Sequence, residues 1–295
     1  MTNRDKPTED EHFISQFYLN RFSSKKKIYQ FDLLNLKKYD DPVPVKSICF
    51  EKNLYEFRNE DGTVIHTNLV ENSLHNYETQ FAKVFDSICK KAKIEDNYST
   101  LCFLTKMEKA YLFLFMTIIV LRSPDVINAA QETAKEFANS DISDITARNI
   151  ALQTCLPIYK ELNLEEMPIV KGVLQFFVDK SFKIGVTEKG NLITSDNPVI
   201  LHKEFSESSI DEVILPISPN IALYMKPLDR TESHMKNRLV ELRGIDVDYF
   251  NASTVRSCRR WIYSKQPFKE KEIKLIMDNK KSHDEFRRKE KTTKE

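Results

Sequence analysis

In the stretch NLVENSLHNYETQFAKVFDSICKK, residues 68–91, the apolar positions Val70, Leu74, Tyr77, Phe81, Val84, Phe85 and Ile88 recur at intervals of three and four. That spacing predicts an amphipathic helix with one apolar stripe. A second helix is expected over residues 105–121, almost wholly apolar after Lys109 and ended by Arg122-Ser123-Pro124, because proline blocks easy continuation. A helix apolar on every side belongs in a core. Residues 125–149 and 147–162 extend the helical reading with fewer apolar positions, so the middle third of the chain is read as helical.

On either side the pattern turns to strands. Ile28 to Tyr39 (IYQFDLLNLKKY) breaks at Leu34-Asn35 and reads as a hairpin, Val43 to Phe57 reads as a strand and its exit, and Asp61-Gly62 is a turn signal. The aromatic-rich segment HFISQFYLNRF, residues 12–22, suits a short helix or a buried turn. Residues 176–201 alternate around Glu188-Lys189-Gly190-Asn191 and predict another hairpin. Residues 212–225 (EVILPISPNIALYM) add strand, with Pro216 and Pro219 at edges or ends. Residues 230–243 and 249–261 read as helices and WIYSK as a last strand. The expected fold class is α+β, with N-terminal β segments, a central helical bundle, and C-terminal antiparallel β segments and a helix. The expected division is a polar flexible N-terminus at 1–11, one α+β domain at 12–268, and a charged helical or disordered tail at 269–295, where ten basic and seven acidic residues alternate with few apolar ones.

Composition narrows the function classes. Forty-five basic against 44 acidic side chains leave a formal charge of +1, so any attraction to a polyanion must come from a local patch. Five glycines are too few for glycine-loop architectures, and neither a dinucleotide fingerprint nor a P-loop occurs. The five cysteines are odd in number and nowhere in a C-x-x-C pair, which argues against a zinc ribbon or a disulfide framework and suits the reducing cytoplasm. The longest apolar run, residues 110–121, falls short of the ~20 residues that span a bilayer, so no membrane association is expected.

Four short pieces, HFISQFYLNRF (12–22), FEKNLYEF (50–57), ITSDNPV (193–199) and LPISP (215–219), occur in an order and spacing that resembles the bacterial family catalogued as domain of unknown function 4238. The resemblance covers roughly residues 12–265. The opening motif of that family reads His, aromatic, any residue, Pro, Gln; here Ser15 stands in the proline position, while His12 and Gln16 are kept. Glu71 and Glu78 look like the family's acidic positions on its first long helix, and Asn251 like its asparagine near the last helix. The resemblance implies a fold and no activity.

The residues themselves suggest one chemistry. Glu71, His75 and Glu78 fall on one face of the 68–91 helix and are candidate metal ligands, with Asp196 as a fourth. The alternative for the helix face is a polar shoulder held by ordinary side-chain pairs. Asp196 and Asn197, after a strand and before Pro198, suit either a functional acid on a rigid support or a hydrogen-bonded turn. His12 and Gln16 would share one face of a helical turn and complete a catalytic set of His12, Gln16, Asp196 and Asn197. Arg122 is read structurally, as a cation at a helix C-terminus. Basic residues Arg256, Arg259 and Arg260, close to Trp261 and Tyr263, are candidate contacts for nucleic acid. The resulting expectation is a metal-dependent phosphodiester hydrolase, nuclease-like, using a divalent ion such as Mg or Mn. The rival class is a non-enzymatic interaction or regulatory protein.

Overall fold

The computed structural model describes residues 9–66, 68–92, 103–139, 141–156, 180–202, 212–227 and 237–292. Its elements run β1 (Asp10–His12), α1 (Gln16–Leu19), β2 (Lys27–Asp32), β3 (Lys37–Lys38), β4 (Val43–Pro44), β5 (Phe50–Lys52), β6 (Phe57–Arg58), β7 (Val64–His66), α2 (Leu69–Lys91) and α3 (Lys106–Leu121). They continue with α4 (Pro124–Phe137), α5 (Asp144–Cys155), β8 (Lys180–Val186), β9 (Thr194–Ser195), β10 (Ile200–His202), β11 (Glu212–Ser218), β12 (Ile221–Pro227), β13 (Asn237–Glu241), α6 (Gly244–Ser257), β14 (Trp261–Ser264) and α7 (Glu270–Thr292). The fold class is mixed α+β, as the pattern predicts. Two compact units share the chain: Met1–Ser15, Cys49–Val84 and Ala110–Phe177 form the first, and Gln16–Ile48, Phe85–Lys109 and Val178–Glu295 form the second.

The first unit joins two small antiparallel ladders, β1 with β5 and β6 with β7, to helices. The Asp61-Gly62 turn lies between β6 and β7; Gly62 takes φ +83°, which costs a glycine little, and Asp61 accepts the Thr63 amide at 2.9 Å. On α2 the stripe residues Val70, Leu74 and Phe81 are buried, and Phe81 meets Tyr111 and Phe115 of α3 edge-on. Residues 115–119 of α3 are buried on consecutive positions, as an all-apolar helix requires. Pro124, which ends α3, is the first residue of α4, where its missing N–H costs nothing. The helical sequence after it is two helices, separated at Asn139 (φ +49°) and restarted by Ser143, whose hydroxyl accepts the Thr146 amide at 3.0 Å. Residues 157–162 of the expected continuation lie outside the described residues.

The second unit holds two larger sheets. One has the order β10-β11-β12-β8-β13, antiparallel except for the parallel pair β8–β13. The other has the order β3-β2-β14-β9, with β4 also against β2. The hairpin expected at 28–39 is β2–β3, its turn tied by Asp32, which accepts the amides of Leu34 and Asn35 at 3.1 Å each. The hairpin expected over 176–201 does not form. Strand β8, buried along most of its length, lies between β12 and β13, while β9 pairs with β14 in the other sheet. Near-continuous burial marks a central strand, and both of its edges go to partners distant in sequence. The expected helix at 230–243 is also corrected: residues 237–241 are strand β13, and residues 230–236 lie outside the described residues, as do residues 176–179 of the expected hairpin. Helix α7 is docked through Ile276, fully buried with Phe31, Val255, Ile262 and Phe268. Among the described residues no single helix is long and apolar enough to cross a membrane.

Candidate acid–base site in the first unit

Strand β1 alternates, so Asp10 faces out and Glu11 faces in, with 1% of its surface exposed. One oxygen of the Glu11 carboxyl accepts the Tyr55 amide at 2.7 Å. Burial drives its pKa up to about 8; the Tyr55 amide and Arg148 oppose that rise, and Glu71 and Glu56 add to it. Glu71, half-buried on the first turn of α2, accepts a backbone hydrogen bond from His12. Its pKa is raised to about 7, again chiefly by burial, with Arg122 lowering it and Glu78 raising it. Two carboxyls in one neighbourhood thus keep their protons to a far higher pH than an ordinary carboxylate, Glu11 more so than Glu71.

Arg122 binds the other side of the cluster. It is 1% exposed, and its Nε donates to the Phe13 carbonyl at 2.7 Å, its Nη2 to Ser15 Oγ at 2.7 Å and its Nη1 to Glu78 Oε1 at 3.2 Å. Ser15 Oγ in turn donates to Glu78 Oε1 at 2.5 Å. A buried guanidinium with a carboxylate and two further acceptors is the compensated arrangement that a charge in a core needs. Tyr55, also buried, donates to the Arg122 carbonyl at 3.3 Å, and burial pushes its phenol well above the ordinary value. Glu78, with 28% of its side chain exposed, and the half-buried Glu71 and His12 form the open side of the cluster.

Of the residues expected from sequence, the structure brings together Glu71, Glu78 and the main chain of His12. The His12 ring rests at 5.7 Å from Phe50. Gln16 is exposed and opens α1 in the second unit, so the helical turn that would have placed it beside His12 is not formed: the chain passes there from strand to helix. His75 is exposed on α2. Asp196 and Asn197 belong to the second unit. Asp196 is 4% exposed and accepts the amides of Arg259, Arg260 and Trp261 at 2.8, 2.9 and 3.0 Å; burial raises its pKa and those amides hold the rise in check. Asn197 donates from its amide to Ser195 Oγ at 3.1 Å and from Nδ2 to the Ser257 carbonyl at 2.8 Å. Both therefore make a tied turn. Among the described residues no three His, Cys, Asp or Glu side chains come together in an arrangement that could hold a metal ion. Asn251 replaces strand bonds, with Oδ1 on the Ile193 amide at 3.0 Å and Nδ2 on the Asn191 carbonyl at 2.9 Å.

Glu11, Tyr55 and Arg122 were not among the expected site residues. By composition Glu11 belongs to the polar terminus, and only its in-facing place in a three-residue strand separates it from Asp10. Arg122 carried a stronger signal, since an arginine ending a helix buried on all sides needs an acid within reach.

These observations define an α+β protein with a buried carboxyl–arginine cluster. The chain matches, over residues 11–268, the family model described as a protein of unknown function (DUF4238), and it belongs to that family. No curated protein and no solved structure matches it.

Proposed function

We propose that the chain is a hydrolase that works by proton transfer at the Glu71 carboxyl, with Glu11 behind it as a second proton-holding group. The observation that carries this reading is Glu71 itself: half-buried, held by one amide, and shifted to a pKa of about 7. A general acid or base is most effective when its pKa lies near the working pH, since it is then present in the needed form and still has a driving force for transfer. Arg122 and Ser15 fix Glu78, and Tyr55 fixes Glu11, so the carboxyls keep their positions. Water activation by Glu71 replaces the metal of the expectation above. A Mg or Mn ion there would meet the Arg122 cation beside Glu78 and two carboxyls that retain protons at neutral pH. Phosphodiesters remain the first substrate class to assay, with carboxylic esters beside them.

The test is turnover of bis(p-nitrophenyl) phosphate and p-nitrophenyl acetate by the full chain, with and without EDTA. The expected result is activity that survives EDTA, rises with pH through about 7 and falls roughly 100-fold or more in a folded Glu71→Gln variant. Retained activity in that variant overturns the reading, and activity that needs Mn or Mg returns the metal-dependent mechanism. A chain with no turnover, in which Glu71→Gln alters only stability, is the interaction or regulatory protein of the rival class.

A further inference from the structure

The second unit carries an ordered surface that the hydrolase reading does not use. Register places Trp261 of β14 opposite Asp32 of β2, and Asp32 opposite Lys37 of β3. Asp32 is fully buried and binds the Arg260 guanidinium at 2.6 Å, so that arginine is anchored while 42% of its side chain stays exposed. The anchored guanidinium lies 4.7 Å from the centroid of the Trp261 ring. Trp261 in turn stands 6.1 Å from Tyr39, tilted by 48°, and Lys37 Nζ sits 4.9 Å from the Tyr39 ring. Four side chains thus run cation, ring, ring, cation, from Arg260 and Trp261 at the start of β14 to Tyr39 and Lys37 at β3. Lys37 is exposed, and Tyr39 and Trp261 are half-buried.

We infer that this row is a binding surface for single-stranded nucleic acid, with Tyr39 and Trp261 stacking on bases and Lys37 and Arg260 meeting the flanking phosphates. Half-exposed rings give a sequence-tolerant stacking platform, and cations at both ends of the row match the charge of a strand whose bases are unpaired. A duplex hides the base faces that this platform requires. The charges of the row and its rim balance formally, Lys37, Lys38 and Arg260 against Asp32, Asp40 and Asp41. Asp32, however, is buried beneath Arg260, so the guanidinium is the outward charge of that pair, and Asp40 pairs with Lys38 at 2.9 Å, which leaves Lys37 exposed at the other end of the row. The arrangement differs from the patch that sequence suggests. Tyr263 is 1% exposed and cannot stack on a ligand, and Arg256 bonds to Ser253 within its own helix, whereas Tyr39 and Lys37 come from a distant part of the chain.

Trp261 is the chain's one tryptophan, so its fluorescence reports this surface directly. The experiment titrates the full chain with a twelve-residue oligothymidylate at low salt, then with a duplex of the same length and with inorganic polyphosphate. The expected result is quenching by the single strand, little by the duplex or polyphosphate, and affinity roughly ten-fold or more weaker in Tyr39→Ala, the size of a lost base stack. A Lys37→Ala variant is expected to weaken binding less and to lower the salt dependence. Absence of quenching, equal binding of duplex or polyphosphate, or unchanged affinity in Tyr39→Ala each overturns the proposal. Tyr39 is half-buried on the loop after β3, and circular dichroism of Tyr39→Ala keeps a folding defect apart from a binding one.

Discussion

Glu11 in the first unit and Asp196 in the second are both almost fully buried, yet they sit in opposite settings. Asp196 receives three backbone amides from consecutive residues. Glu11 receives the Tyr55 amide and has Glu71 and Glu56 in its field. Burial raises the pKa of both; at Asp196 three amides oppose the rise and the group fastens the turn that carries it, whereas at Glu11 one amide opposes the rise and two acids add to it. A carboxyl with few donors and acidic neighbours stays close to its protonated form, which is the condition for moving a proton near neutral pH. Burial alone therefore does not mark a functional acid; the supply of donors does.

The comparison can be broken most decisively at Asp196. Asp196→Ala leaves three buried amides without acceptors and is expected to cost about 4 kcal/mol in urea unfolding, with the first unit's carboxyls unaffected. A loss under about 1 kcal/mol would remove Asp196 as a fastener. Arg122→Met strips Glu78 and Ser15 of their buried partner, and a loss of about 3 kcal/mol is expected, together with an upward move of the Glu71 pKa followed by carbon-13 NMR.

Glu11→Gln and Glu71→Gln sharpen the contrast through pH. Both wild-type carboxyls have folded pKa values above the unfolded ones, so the folded chain binds more protons than the unfolded chain between about pH 4.5 and the folded values of about 7 and 8. Their effect is absent at low pH and grows into a destabilisation as pH rises through 7 to 8. Each glutamine variant should then be more stable than wild type at pH 8.5, by on the order of 2 kcal/mol, and no more stable at pH 4.5, as read from melting curves at the two values. The smallest expected effect is that of Asn251→Ala, a loss of about 1 to 2 kcal/mol from two side chain-to-backbone bonds, with no change in any ligand response.

Part of the candidate site is legible in the sequence. Helical periodicity on α2 put Glu71 and Glu78 on one face, and that pairing survives in the folded chain. His75 shares the same spacing but is exposed, because a helical wheel gives direction without saying what lies opposite. Glu11 escaped because a strand of three residues has too little alternation to read. The false hairpin at 176–201 has a related cause: a turn signal identifies a reversal, while the partner of each strand is chosen by side chains far along the chain.

Local chemistry written into the chain determined the α+β class, the long helices and their break at Pro124, the β2–β3 hairpin and membership of its family, because periodicity, caps and turns act over a few residues. The tertiary structure alone decided that Glu11 faces Tyr55, that Arg122 binds Ser15 and Glu78, that Asp196 is sealed by amides and that Tyr39 stands beside Trp261. Each of those outcomes depends on which distant groups share a desolvated space, and desolvation is a property of the packed chain.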